Sequence, residues 1–123
     1  VDESIKVEAD LLHDNVCQAL ADPKRIVILY LLSDGSRNVT QIAEALDSPQ
    51  PTVSRHLKVL RERALVSTHR DGQQIVYSLA DARIIQALDL MRTMVMDALR
   101  APGRLAQRLD MAPGHRTEQR SFR

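Results

Sequence analysis

A mostly α-helical fold carrying a β-hairpin is the class this 123-residue sequence predicts, and three observations predict it. Two helical patterns, Val39 to Leu46 and Gln50 to Arg63, are separated only by Asp47-Ser48-Pro49. So short a break forces the second helix to cross the first steeply and project from the surface. A hairpin pattern, Leu65 to Leu79, follows at once, with Asp71-Gly72 as its turn signal because that pair supplies the positive backbone angles of a two-residue turn. Long amphipathic patterns flank the unit on both sides. The order is that of a winged helix-turn-helix, expected over residues 1–100 and followed by a basic tail over 101–123.

Each element has a local reason. The first helix, about Ile5 to Leu20, repeats Leu12, Val16, Ala19 and Leu20 at helical spacing. Asp22 is the expected N-cap of the next, with Pro23 at the first helical position, where its missing N–H costs nothing. Lys24 to Leu32 is a dense apolar run that marks the core, ended by Asp34 and Gly35. Asn38 with Gln41 three residues on has the form of a capping box, and Ile42, Ala43 and Leu46 then face inward.

After the hairpin, Asp81 to about Arg100 carries Ile84, Leu88, Met91, Val95 and Ala98 or Leu99 as a stripe, widened by Ile85 and Met94. This helix and the first have more apolar surface than a small domain covers. The expectation is a homodimer paired through the terminal helices, with Leu12, Val16, Ile84, Leu88, Met91 and Val95 in the interface. The alternative is that the last helix folds back over its own domain. From Ala101 onward Pro102, Gly103, Pro113 and Gly114 interrupt the pattern, while Arg104, Arg108, Arg116, Arg120 and Arg123 make it basic. A short helix at Leu105 to Leu109 in an otherwise mobile tail is expected there.

The formal net charge of +1 conceals an uneven distribution. Val1 to Asp22 holds six acids against Lys6, a net −5, whereas Gln50 to Arg70 holds five bases against Glu62, a net +4. The positive charge therefore coincides with the projecting helix and hairpin, as a phosphate-facing surface requires. On that surface Gln50, Thr52, Ser54, Arg55 and His56 are candidates for groove contacts, with Lys58, Arg61 and Arg70 for phosphates. The expected partner is double-stranded operator DNA.

Other classes fit less well. Aromatics are confined to Tyr30, Tyr77 and Phe122, too few for a single-strand stacking platform. A glycine-rich phosphate loop, a nucleophile elbow and a convergent carboxylate set are all missing, so an enzyme is not expected. A winged protein-interaction module would carry an apolar or acidic second helix, and this one is basic and polar. With Cys17 as the sole cysteine no intrachain disulfide is possible, and neither a signal peptide nor a membrane-spanning run is visible, so a cytoplasmic protein is expected.

Taken together, Ala19-Leu20-Ala21-Asp22-Pro23-Lys24-Arg25, Gln41 to Leu46, Gln50 to Arg61 and Arg70-Asp71-Gly72 before Val76-Tyr77 resemble the ArsR/SmtB transcriptional repressors, over roughly Val16 to Leu99. The resemblance implies a dimeric, five-helix winged domain that represses its operator and, in many members, releases it on binding a metal or oxidant. Soft-metal members carry Cys-x-Cys where this chain has Asn38 and Thr40. Members with a zinc-type site on the last helix pair Asp-x-His with later ligands; here Asp81 matches, but Arg83 replaces the His, and Met94 and Asp97 occupy the later positions. Two further departures are Pro49, which is expected to move the helix cap to Ser48, and Ala64 in place of a helix-ending glycine.

His13 and Cys17, four apart on the first helix, remain as candidate ligands for a transition metal, with Asp10, Asp14, His115 or a partner subunit supplying further donors. The competing expectation makes Cys17 a buried core side chain, as free cysteines commonly are. A third possibility is a redox thiol. His69 is expected on the wing.

Overall fold

The computed structural model describes residues 1–101; the basic tail beyond, with its arginines, His115 and the expected helix at Leu105 to Leu109, lies outside the described residues. The elements are α1 (Glu3–Leu12), a π-helical turn (His13–Cys17), a 3-10 turn (Ala19–Ala21), α2 (Pro23–Ser33), β1 (Arg37–Asn38), α3 (Val39–Leu46), α4 (Gln50–Glu62), β2 (Val66–Asp71), β3 (Gln74–Leu79) and α5 (Arg83–Arg100). The chain divides into two compact units, Val1–Ile85 and a second beginning at Gln86. No helix among the described residues is long and apolar enough to cross a membrane.

The first helix is not the single element expected from Ile5 to Leu20. Asp2 caps it by accepting from Ser4 N at 3.1 Å, and regular α-helix ends at Leu12. The side-chain amide of Asn15 donates to Leu11 O at 2.8 Å and so competes for the carbonyl that the next α-helical bond would use. The backbone widens over this stretch, and Gln18 N reaches His13 O at 3.0 Å in a π-type bond. The 3-10 turn then ends at Asp22, which is extended, as a residue preceding proline favours.

Local signals elsewhere set the boundaries. Asp22 caps α2 through Lys24 N at 2.9 Å, with Pro23 in the first turn. Asn38 Oδ1 accepts from Gln41 N at 2.8 Å while Gln41 Oε1 accepts from Asn38 N at 2.9 Å, completing the capping box. Asp47 ends α3 in the left-handed region at φ 51°, with Ser48 N bonded back to Ala43 O. The expected cap at Ser48 is not formed. Pro49 is the N-cap of α4 and makes no side-chain cap bond, and Ser48 Oγ instead donates to Leu46 O at 3.2 Å. Ala64 takes φ 62° after α4, which costs about 1 kcal/mol relative to glycine.

The core of the first unit is built from Ala19, from Ile28, Leu29 and Leu32 of α2, from Ile42 and Ala43 of α3, from Val53, Leu57 and Leu60 of α4, and from Val66 of β2. Each fully buried Ile or Leu contributes about 1.5–3 kcal/mol, so the two helices of the helix-turn-helix are held by their inner faces. Leu46 is only half-buried.

The sheet is antiparallel in the order β1-β3-β2. Arg37 pairs with Tyr77 and Asn38 with Val76, so the hairpin is stitched to the start of α3 by a short strand that the sequence did not suggest. Asp71 pairs with Gln74, which makes Gly72-Gln73 the two-residue turn rather than Asp71-Gly72. Only Gly72 of the two takes a positive φ, at 65°. Arg70 accordingly sits on β2 before the turn, opposite Ile75.

In α5 Leu88 is buried at 6% exposure, whereas Met91 and Val95 are each 47% exposed and Met94 66%. Asp81 caps the helix through Arg83 N at 2.9 Å.

Candidate nucleic-acid interface

Helical phase sorts the side chains of α4. Val53, Leu57 and Leu60 point into the core, so Gln50, Ser54, Arg55, Lys58 and Arg61 fall on the solvent side and are all exposed. Thr52 is half-buried and its Oγ1 accepts from Arg55 Nη2 at 3.4 Å. Gln50 Nε2 donates to Thr40 Oγ1 at 3.0 Å, fastening the first residue of α4 to the start of α3. Guanidinium, ammonium, amide and hydroxyl donors thus share one convex face, the inventory needed to bond phosphates and base edges.

His56 departs from this arrangement. Its side chain is only 12% exposed and turns back toward α2, with Nδ1 3.3 Å from Arg25 Nη1 and Nε2 3.8 Å from Asp22 Oδ2. The expected groove contact from His56 is withdrawn on that geometry. Burial pushes the ring's pKa below its ordinary value; Asp22 opposes the shift, and Arg25, Lys24 and Arg55 add to it. A signal was available, since Val53, His56, Leu57 and Leu60 follow the i, i+3, i+4, i+7 spacing of an inward face.

The wing supplies a second basic element. His69 and Arg70 are exposed near the end of β2, together with Asp71. Asn38 Nδ2 donates to Gln74 Oε1 at 2.9 Å, tying the wing to the α3 cap. Acidic groups mark where a phosphate backbone would be repelled: Glu44 and Asp47 line an open hollow of about 480 Å³ at the turn between α3 and α4.

The candidate metal ligands are not brought into a site. Cys17 is exposed, contrary to the expectation of a core thiol, and His13 Nδ1 lies 3.3 Å from Asp14 Oδ1. No group of three or more His, Cys, Asp or Glu side chains able to hold an ion occurs among the described residues. Asp81 is engaged by Arg83, whose Nη2 donates to Oδ2 at 2.7 Å and whose Nε lies 3.1 Å from both oxygens. Those hydrogen bonds pull Asp81 down to about 2. Of the expected interface residues, Leu12 is exposed and Val16 and Ile84 are half-buried.

Comparisons with known proteins agree with this architecture. Residues 22–68 match the profile described as bacterial regulatory protein, arsR family. The chain is similar to the HTH-type transcriptional regulator NmtR of Mycobacterium tuberculosis, 49% identical over 72 residues that cover 58% of this chain and 60% of that protein. It therefore spans less than two thirds of that relative. It is also similar to the transcriptional repressor SdpR of Bacillus subtilis, 35% identical over 82 residues, 67% of this chain and 91% of that one. Among solved structures, a homodimeric winged helix-turn-helix DNA-binding domain of a possible ArsR-family regulator from Mycobacterium bovis superposes with a TM-score of 0.70 at 28% identity. The match covers 81% of this chain and 92% of that one.

Proposed function

This chain belongs to the arsR family of bacterial regulatory proteins, and from that premise we propose that it is a transcriptional repressor that binds an inverted-repeat operator in duplex DNA as a homodimer. The observation that carries the reading is the outer face of α4, where Gln50, Ser54, Arg55, Lys58 and Arg61 stand exposed on a helix fixed by Val53, Leu57 and Leu60. Gln50, Thr52, Ser54 and Arg55 serve the groove, and Lys58, Arg61 and Arg70 serve phosphates. The same reading assigns the protein to the cytoplasm, where a bacterial repressor meets its operator.

Dimerisation is supported by apolar side chains left exposed on the terminal helices, Ile5 and Leu12 on α1 and Met91, Met94 and Val95 on α5. The relative from Mycobacterium bovis is itself homodimeric. A two-fold dimer presents two recognition helices about 34 Å apart, one turn of duplex.

The test is selection of duplexes from a random pool followed by footprinting and a salt titration. A two-fold symmetric site bound with a steep negative salt slope is the expected result. Recovery of no preferred duplex would favour a winged module that binds protein instead.

A further inference from the structure

Asp22, Arg25 and His56 connect three segments of the first unit through their polar atoms. Arg25 Nε donates to Ala19 O at 2.6 Å and Nη2 to Gln18 O at 3.4 Å, closing the carbonyl end of the π and 3-10 turns. The same guanidinium presents Nη1 to His56 Nδ1 at 3.3 Å. Asp22 divides its carboxylate between the α2 cap, through Oδ1, and the His56 ring, through Oδ2 at 3.8 Å.

The partners fix the state of the ring. A guanidinium offers only donors, so Nδ1 of His56 must accept and the single ring proton resides on Nε2, toward Asp22. Adding a second proton would set an N–H on Nδ1 against an N–H of Arg25, replacing attraction by repulsion. The charged groups around the ring are Asp22, which caps α2, Lys24 and Arg25 from α2, and Arg55 from α4, three cations against one anion. In the turns preceding α2, the carbonyls of Gln18 and Ala19 accept from Arg25.

We propose that His56 is a positioning residue: through Arg25 it ties the recognition helix to the end of the first helical segment, and the tie holds only while the ring is neutral. Duplex affinity then carries a proton dependence of its own, because His56 adjoins Arg55 on α4. The half-buried position of the ring, with burial lowering its pKa, keeps the neutral form favoured near pH 7. The inference rests on the duplex-binding reading above, but its first test does not.

Nitrogen-15 imidazole spectra of the full chain at pH 7.5 report the tautomer directly. The Nε2–H form is expected for His56, and the Nδ1–H form would overturn the proposal. Titrating the same sample toward pH 5.5 should move the amide signals of Arg55 and Lys58 in step with the His56 ring; unmoved amides would also overturn it. The second test uses a duplex recovered from a random pool by the wild-type protein and compares wild type with His56→Asn, whose amide oxygen replaces the Nδ1 acceptor without titrating. Wild type should lose about fivefold more affinity than His56→Asn between pH 7.5 and 5.5, within the limit set by one linked proton. Equal losses would refute the tie, and the exposed His69, retained in both proteins, cancels. Failure of wild type to recover any duplex would sink the repressor reading, while the imidazole spectra would still judge the tie.

Discussion

Arg55 Nη2 donates to Thr52 Oγ1 at 3.4 Å, three residues back on the solvent side of α4. A guanidinium has five N–H donors in a planar fork, so one long bond orients the group without consuming it. The side chain is aligned along the helix and free to exchange its contact for a base edge or phosphate.

Replacing Arg55 with alanine should therefore cost about 1–3 kcal/mol on the selected site if the fork pairs with a guanine, and discrimination at one base pair should flatten. Competition binding against single-base variants measures this. An equal loss on site and random duplex would reassign Arg55 to the phosphate backbone.

Arg70 lies two residues before the wing turn and is exposed. Arg70→Ala should weaken all duplexes alike and reduce the slope of log affinity against log salt by about one unit. An unaltered slope would remove the wing from the backbone contacts.

Met91 and Val95 are each 47% exposed on α5 and belong to the proposed subunit interface. Met91→Glu or Val95→Glu should give folded monomers that lose specific duplex binding, because a carboxylate desolvated at an interface without a partner is strongly destabilising. Sedimentation showing intact dimers in both would move the interface elsewhere. Leu88→Glu should be the most destabilising of the three, since that side chain is 6% exposed.

Asp81 should titrate at about 2 in the folded protein and return toward the usual carboxylate range in Arg83→Ala, as read from its carboxyl carbon signal. The folded value lies below the unfolded one. Any stabilisation from this group is thus complete above the unfolded pKa and is lost as pH falls toward 2. An unshifted Asp81 in wild type would mean that the Arg83 contact does not persist in solution.

Zinc or cadmium should not release the duplex through the position of Asp81 and Arg83 or through Asn38 and Thr40, which offer no soft donors. Metal titration of the complex with wild type, Cys17→Ser and His13→Ala checks this. Release that persists in wild type and vanishes in either variant would place sensing on the π-helical turn.

Legibility in the sequence followed the range of the interactions. Asp22-Pro23 and Asn38 with Gln41 were readable because a cap is settled within three residues. The pairing of Arg37 and Asn38 with Tyr77 and Val76 was not, because a two-residue strand has no periodicity and its partner is about forty residues away. The π turn coincides with a side-chain bond from Asn15 to the Leu11 carbonyl, which no apolar pattern records. For His56 the helical phase pointed inward while its chemistry suggested DNA, and packing prevailed. Cys17 went the other way, since a residue type that is usually buried stands exposed on a distorted turn.

Asn38 closes the capping box, donates to Gln74 and pairs through its backbone with Val76. The position that the resemblance matches to a cysteine ligand of soft-metal members is here a structural joint. A cysteine there would keep the backbone pairing but lose both the cap bond to Gln41 N and the side-chain link to Gln74. A thiol at position 38 and the side-chain link between the α3 cap and the wing therefore exclude each other.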